Sequence, residues 1–533
     1  MSPLESIPAG STSAPRGWSL ALAIGLMVCT LVAVASLLSA DQPWWWIFGL
    51  AIPWAGYVLM TNTNAAIGFA LFLLYSNLVV VAIHFHGVPP LVAIVIPGLL
   101  MIPVARHVLI EGQPWLWPRA TPWILVFLVV QAIGTVTARD PRAAYEGFKV
   151  SVTEGVVLYF LVVNAVRTPA ALRWAIWSLL AAGVVMAGCV LHQFATDSYH
   201  SNYGGLAQVT SEGFGFESVA GLVGQMRASG PIGVENRFAQ ILLMLFPLGL
   251  FSIWVETQPG TRLCAGFALL VIVSGWAVTF SRGAFVALGL TLLIALLGGH
   301  IRWRQLLPLG LFVTGIMLLV PSYRERIFSL TTVPAWLMQR DQEELPDGAV
   351  TGRATVMLAA ARVYADHPLV GVGPTLFPTY AIEYGNRGGF RELRTDRQAH
   401  NLFLSVAAEQ GTIGFVAFFG AFAVTLWELQ RARLRSLQVR PAFEPVINSF
   451  TLVLLIYLTT GLFEHFSFIR YYWVMLALAA AACTAVDDGV LEPGADGQSE
   501  PPAPSLSAVA ASTAGKRPGD ATLSDLPRDL RQG

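Results

Sequence analysis

Long apolar runs, separated by short polar links, make up most of the sequence. A helix needs about 20 apolar residues to cross about 30 Å of hydrocarbon, and the runs are close to that length. We therefore predict an all-α polytopic membrane protein with about 12 to 14 transmembrane helices. A count of fourteen places them at residues 18–39, 44–60, 65–83, 89–105, 121–137, 150–166, 172–195, 237–255, 262–280, 283–299, 304–320, 402–427, 446–463 and 469–486.

One long polar stretch, residues 321–400, interrupts this pattern. Within it, residues 353–366 have the periodicity of a helix, and Pro368 ends that helix because proline cannot continue it. The apolar positions of this helix share one face: Val356, Ala360 and Val363. The stretch therefore predicts a large loop that contains a helix of its own.

The composition agrees with a membrane protein and narrows the function. Of 533 residues, 55% are hydrophobic and only 12% are charged, whereas soluble domains have about 25% charged residues. The net charge of zero gives no support for nucleic-acid binding. The four cysteines lie inside apolar runs without metal-ligand spacing, so we expect them to be buried apolar residues and expect no metal site.

The distribution of Lys and Arg predicts the orientation of the chain. The link at residues 428–445 carries four arginines, which places it in the cytoplasm. Alternation from there puts both termini in the cytoplasm and the long loop outside, in the periplasm of a Gram-negative cell. The predicted segments are a cytoplasmic N-terminal segment at 1–17, transmembrane helices 1–11 at 18–320, the periplasmic loop at 321–400, transmembrane helices 12–14 at 401–486, and a disordered cytoplasmic tail at 487–533.

Arginines on the outer side oppose the insertion rule and therefore need a reason to be there. Three of them are Arg227, Arg237 and Arg282. Each one alone is explained by contact with lipid phosphate, but together they suggest an anion site. Arg353 begins the predicted loop helix, where the helix dipole and a guanidinium group together favour a phosphate; an ordinary solvated helix end is the alternative.

A histidine and two carboxylates complete the candidate chemistry. His400 and Asn401 close the long loop just before an apolar helix, where His400 is either a helix-end residue or a general base. Glu409 lies inside that apolar helix, and Glu464 lies at the outer end of the following span. Carboxylates in a membrane are costly, which favours a functional interpretation for both.

Four stretches in this order resemble the bacterial O-antigen ligase and O-antigen polymerase family of membrane glycosyltransferases. They are Arg227-Ala228-Ser229-Gly230 through Asn236-Arg237-Phe238-Ala239, Ser281-Arg282-Gly283, Gly352-Arg353 through Pro374, and Ala399-His400-Asn401-Leu402 through Gly414. Their order and their placement around one outer loop are more specific than any single motif. Two positions depart from the family pattern: Met357 replaces an expected aromatic residue, and Val234-Glu235-Asn236 replaces Asp-Pro-Asn.

The resemblance implies a fold similar to the lipid-phosphosugar-dependent (GT-C-like) glycosyltransferases. It implies a glycan donor on undecaprenyl diphosphate, an inverting transfer on the periplasmic face of the inner membrane, and no metal or other cofactor. By position, His400 would be the catalytic base, with Asn401, Glu409 and Glu464 in support. The diphosphate-binding residues would be Arg282, Arg227, Arg353 and Arg237.

Two activities within the family, and one outside it, fit these features. A polymerase would extend a lipid-linked chain for O-antigen, capsule or exopolysaccharide, and we favour it from the breadth of the family. A ligase would move the finished polymer to lipid A-core. A lipid flippase or transporter is the alternative of another class, although the charged residues gather at outer helix ends. The expected partners are the lipid-linked donor, the acceptor glycan, membrane lipids, a flippase and a chain-length regulator.

Overall fold

A computed structural model describes residues 59, 61–210, 227–304, 348–387, 392–395, 397–465 and 469–491. The predicted spans at 18–39, 44–60 and 304–320 lie wholly or largely outside these residues, as does most of the predicted tail. The helices are α1 Thr63–Tyr75, α2 Leu78–His86, α3 Val95–Ala105, α4 Thr121–Thr137, α5 Pro141–Val150, α6 Leu158–Ala165, α7 Pro169–Ala195, α8 Glu235–Val255, α9 Pro259–Ala277, α10 Arg282–Leu297, α11 Gly348–Asp366, α12 Phe377–Gly385, α13 Leu402–Val439, α14 Glu444–Thr460 and α15 Ile469–Leu491.

The described residues contain seven helices long and apolar enough to cross a membrane. These are Pro90–Ile110, Pro141–Ala165, Pro169–Ala195, Glu235–Val255, Pro259–Ala277, Leu402–Val439 and Pro441–Thr460. A bent pair, α1 and α2, adds an eighth candidate span. The chain is an all-α polytopic membrane protein, as the apolar runs predict.

Several spans differ from the predicted straight helices in ways that periodicity does not reveal. The predicted span 65–83 is bent by 52° between α1 and α2, where Asn77 takes a left-handed conformation with φ of 60°. The span predicted at 150–166 begins at Pro141 and includes a π-helical segment, Ser151–Val157. Helix α13 extends well past the predicted end at residue 427.

The centre of the helix bundle is formed by α8 and its neighbours. Helix α8 is buried on nearly all sides and packs against α9 and α14. Most of its side chains are large and apolar, which is the composition of a helix without a solvent face. The first two turns of α8 bring the polar residues Asn236, Arg237 and Gln240 to the edge of this core.

The structure also contains α11, α12 and a small hairpin. Helix α11 contains the predicted stretch 353–366, and it packs against α12 and α13. The apolar face is buried as the periodicity predicts: Val356, Ala360 and Val363. Strands β1 (Gln208–Thr210) and β2 (Arg227–Gly230) pair antiparallel just before α8.

Candidate functional site

Four helix ends meet at one pocket. The pocket has about 250 Å³ of space that atoms do not fill, part of it open to solvent. Helix α10 points its N-terminus into it, where Ser281 accepts a hydrogen bond from the Ala284 backbone N–H at 3.4 Å. The pocket is lined by Asn236, Gln240, Ser281, Gly283, Ala284, Arg353, Thr460, Phe463 and Glu464. Free backbone N–H groups and the dipole at a helix N-terminus favour an anion.

His400 lies beside this pocket in a strained and largely buried position. Its φ of 48° places a residue other than glycine in the left-handed region, which costs free energy. Its ring meets that of His465 edge to face, with centroids 5.8 Å apart. The buried Nδ1 atoms of both rings have no hydrogen-bond partner among the residues that the structure describes.

The charges around His400 keep it neutral. Burial and the positive charges of nearby arginines lower its pKa to about 3. These arginines are Arg353, Arg237 and Arg397. Burial and the same kind of neighbour also lower the pKa of His465. Both imidazoles are therefore unprotonated at neutral pH, which is the state that a general base requires.

The segment 461–465, which we call the outer strap, fixes the position of His400. Asn401 caps α13 by accepting a hydrogen bond from the Leu404 N–H at 3.0 Å, and its amide donates to the Leu462 carbonyl oxygen at 3.1 Å. The Leu402 N–H donates to the Gly461 carbonyl oxygen at 2.6 Å. Two hydrogen bonds thus join the outer strap to Asn401 and Leu402, the two residues that directly follow His400.

Arg237 lies inside the protein and is held by polar partners. It is 2% exposed, and it donates to Gln240 Oε1 at 2.8 Å and to the His465 carbonyl oxygen at 2.7 Å. Its guanidinium lies 3.5 Å from Glu464. Gln240 in turn donates to Thr460 Oγ1 at 2.6 Å. This network joins α8 to the end of α14 and to the outer strap.

Arg227 also forms hydrogen bonds to other residues of the protein. It donates to the Thr279 carbonyl oxygen at 3.1 Å, to Glu235 at 2.5 Å and to Asn236 at 2.8 Å. These contacts tie β2 to the start of α8 and to the link before α10. Glu235, which departs from the family pattern, thus serves as the ion-pair partner of Arg227. Arg227 reaches the pocket through Asn236, which lines it.

Two further arginines, Arg353 and Arg282, belong to other helices, and of the two Arg353 lines the pocket. Arg353 comes from α11 and lines the pocket together with Glu464. Within the described part of the chain it has no hydrogen-bond or ion-pair partner, so its guanidinium is available to an anion. Arg282 is the first residue of α10, between pocket-lining Ser281 and Gly283.

Glu464 is the buried carboxylate of the pocket. It is 4% exposed, and burial raises its pKa although Arg237 and Arg353 oppose that shift. Its charge partly balances the cations around it. Among the described residues, no group of three His, Cys, Asp or Glu side chains is arranged to hold a metal ion.

Glu409 lies away from the pocket, about two and a half turns of α13 beyond His400. It is buried, and its carboxylate accepts a hydrogen bond from the Thr375 N–H at 3.0 Å. The Gly373 N–H donates to the Glu409 carbonyl oxygen, also at 3.0 Å. Glu409 therefore holds the segment between α11 and α12 against α13.

Comparison with known proteins finds one family match. A family model described as O-Antigen ligase matches residues 266–419. This match supports the O-antigen ligase and polymerase family for this part of the chain. No curated protein matches the chain. The matched region contains Arg282, Arg353, His400 and Glu409, and the match supports glycosyltransferase activity of the ligase or polymerase type, a family that implies lipid-linked glycan substrates.

The matched region does not contain every residue of the pocket. Asn236, Gln240 and Glu464 line the pocket but lie outside residues 266–419, and the helix packing brings them to it. Sequence reasoning did not select Gln240, Thr460 or His465 as site residues. Gln240 follows Arg237 by three residues in an otherwise apolar helix, which is a signal that could have found it. Thr460 gives no such signal, because threonine is common in membrane helices.

Proposed function

We propose that the protein transfers a glycan from undecaprenyl diphosphate to the hydroxyl group of an acceptor sugar. The reaction takes place on the periplasmic face of the bacterial inner membrane, with both chain termini in the cytoplasm. One observation carries the proposal: His400, neutral and strained, lies beside a pocket that holds Arg353 and the N-terminus of α10. A base next to an anion site is what this transfer needs.

The acceptor hydroxyl gives its proton to His400 as its oxygen attacks the anomeric carbon. The bond from that carbon to the diphosphate oxygen breaks, and undecaprenyl diphosphate leaves with the bonding electrons. General base catalysis of this kind contributes about 10²- to 10⁴-fold. A single displacement inverts the configuration at the anomeric carbon.

Donor binding also adjusts the strength of the base. Burial and the nearby arginines hold the pKa of His400 far below its ordinary value. A bound diphosphate brings negative charge next to Arg353 and offsets this effect, so the pKa of His400 rises toward neutral. The histidine therefore becomes a better proton acceptor when the donor is in place.

The diphosphate is assigned to Arg353, Arg282 and the N-terminus of α10. Each charge-assisted hydrogen bond contributes about 1.5–3 kcal/mol, and together they neutralise the leaving group without a divalent ion. Arg227 supports this site through Asn236 and contacts the diphosphate if it exchanges its bond to Glu235. Asn401 positions His400, Glu409 holds the loop, and Glu464 balances charge.

The preferred activity is that of a polymerase for a surface polysaccharide, with a flippase supplying the lipid-linked units and a chain-length regulator as a further partner. Purified protein is incubated with a lipid-linked repeat unit, with and without lipid A-core, and the products are sized. A ladder of lipid-linked polymer without lipid A-core supports the polymerase. Product only on lipid A-core shows a ligase, and no product in either case contradicts glycosyl transfer.

A liposome assay separates this function from that of a flippase. Protein reconstituted with the fluorescent lipid-linked unit is tested for movement of that lipid between leaflets. Movement without any glycosidic bond formation would replace the proposed transfer with transport.

A further inference from the structure

We propose that Arg237 is a positioning residue that acts through His400, and that it does not contact the donor diphosphate. This inference rests on the proposed function. It differs from the expectation that the outer arginines form one phosphate site, and it follows from where the guanidinium lies.

The contacts of Arg237 point into the protein. One nitrogen donates to Gln240 and another to the His465 carbonyl oxygen, and the Glu464 carboxylate lies 3.5 Å away. The side chain is 2% exposed and does not line the pocket, whereas its partners Gln240 and Glu464 do. A diphosphate in the pocket would meet these partners before it reached Arg237.

The same contacts connect Arg237 to the base. By holding His465 and Glu464, Arg237 fixes the end of the outer strap, segment 461–465. The strap accepts hydrogen bonds from Leu402 and Asn401, the residues that follow His400. The His465 ring also packs against the His400 ring. Displacing the strap would therefore displace a histidine whose backbone is already strained.

A second effect of Arg237 is electrostatic. The charged and titratable groups that face His400 are Arg353 from α11, Arg237 from α8, Arg397 from its own segment, and His465 from the strap. The charge of Arg237 disfavours protonation of His400. Removing that charge should raise the pKa of the base, while a lysine in its place should not.

Two variants, Arg237→Lys and Arg237→Met, separate positioning from phosphate binding. Lysine keeps the charge but lacks the planar guanidinium group, whose two nitrogens donate to Gln240 and to the His465 carbonyl oxygen at the same time. We expect kcat to fall about tenfold or more in both variants at saturating donor, with the Kd for undecaprenyl diphosphate within about threefold of wild type. Only Arg237→Met should move the acid limb of the kcat profile to higher pH. Arg142→Lys, an exposed outer arginine, is the control.

The opposite pattern overturns the inference. A Kd at least tenfold weaker, with near-normal kcat at saturation, would make Arg237 a phosphate ligand. If both variants keep the wild-type kcat, and Arg237→Met does not move the acid limb of the kcat profile, Arg237 has no positioning role.

If neither Arg237 variant elutes as a monodisperse protein, Thr460→Val decides instead. It removes the acceptor of the Gln240 bond and leaves Arg237 in place. Lower kcat with unchanged Kd supports the inference, and unchanged kcat overturns it.

Failure of the proposed function can be distinguished from failure of this inference. If the wild-type protein binds undecaprenyl diphosphate but makes no glycosidic bond, the proposed function is refuted. The Kd values of the Arg237 variants for undecaprenyl diphosphate still show whether Arg237 is a phosphate ligand.

Discussion

The imidazole rings of His400 and His465 meet edge to face, with their centroids 5.8 Å apart. One ring ends the segment before α13 and the other ends the outer strap after α14. Each has a buried Nδ1 atom without a hydrogen-bond partner among the described residues. An unpaired buried nitrogen costs free energy. The contact between the two rings joins the proposed base to the outer strap.

Replacing the base should abolish transfer without affecting insertion. We expect His400→Ala to lower the rate of glycan transfer by about 10²-fold or more, because general base catalysis is lost. His200→Ala is the matched control, since His200 is exposed in the loop after α7. Transfer is measured with the purified proteins and a lipid-linked repeat unit. A near-normal rate in His400→Ala would remove His400 as the base.

The neutral histidines should make stability depend on pH. The pKa of His400 is about 3 in the folded protein, against an ordinary value near 6.5. Between these values the unfolded chain binds a proton that the folded chain does not, so the free energy of unfolding falls as pH falls. The slope is about 1.4 kcal/mol per pH unit for one such group, and His465 adds to it in the same direction.

Thermal unfolding between pH 4.5 and 7.5 measures this dependence. We expect the melting temperature of the wild-type protein in detergent to fall on acidification, and to fall less steeply in His400→Gln. Identical pH dependence of the two proteins would mean that His400 is protonated in the folded state.

The cap at the start of α13 should affect activity as well as stability. Asn401→Ala removes the bond from the Leu404 N–H and the bond to the outer strap, and we expect a loss of about 1 kcal/mol from the cap alone. Thr168→Ala removes a comparable cap at the start of α7, where Thr168 accepts a bond from the Ala171 N–H. Both variants should melt earlier, but only Asn401→Ala should lower kcat. Equal kcat values would show that Asn401 is merely a cap.

The sequence singles out the candidate cations and the candidate base because each violates a local rule. Arg282 is a positive residue on the outer side, and His400 is a polar residue at the mouth of an apolar helix. Arg353 is predicted at a helix start, but α11 begins five residues earlier, at Gly348. These signals depend only on neighbours along the chain, so they can be recognised without knowledge of how the helices pack. The resemblance to the O-antigen ligase family rests on the same residues, and the match at 266–419 confirms it.

What the sequence could not supply is the register between distant helices. The hydrogen bond between Gln240 and Thr460 joins α8 to α14. No pattern in the sequence around either residue predicts this bond. The inward direction of Arg237 depends on the same packing. The bend at Asn77 and the π-helical segment Ser151–Val157 are also invisible to hydropathy, because both lie inside apolar runs.

Two glycines that face each other should be intolerant of any side chain. Gly371 has φ of 69°, and a Cβ atom there would lie 2.3 Å from the Glu409 carbonyl carbon. Gly411 has φ of 62°, and its Cβ would lie 2.3 Å from the Leu369 carbonyl carbon. Because the obstacles are backbone atoms, the segment between α11 and α12 would have to move away from α13.

We expect Gly371→Ala and Gly411→Ala each to destabilise the protein by about 2 kcal/mol or more, from steric overlap added to the left-handed conformation. Gly289→Ala is the control, since Gly289 lies in α10 with no atom within 4 Å of the added Cβ. Alanine favours a helix over glycine by about 1 kcal/mol, so this variant should melt at or above the wild-type temperature. Melting of Gly371→Ala at the wild-type temperature would show that the segment does not pack against the Glu409 backbone.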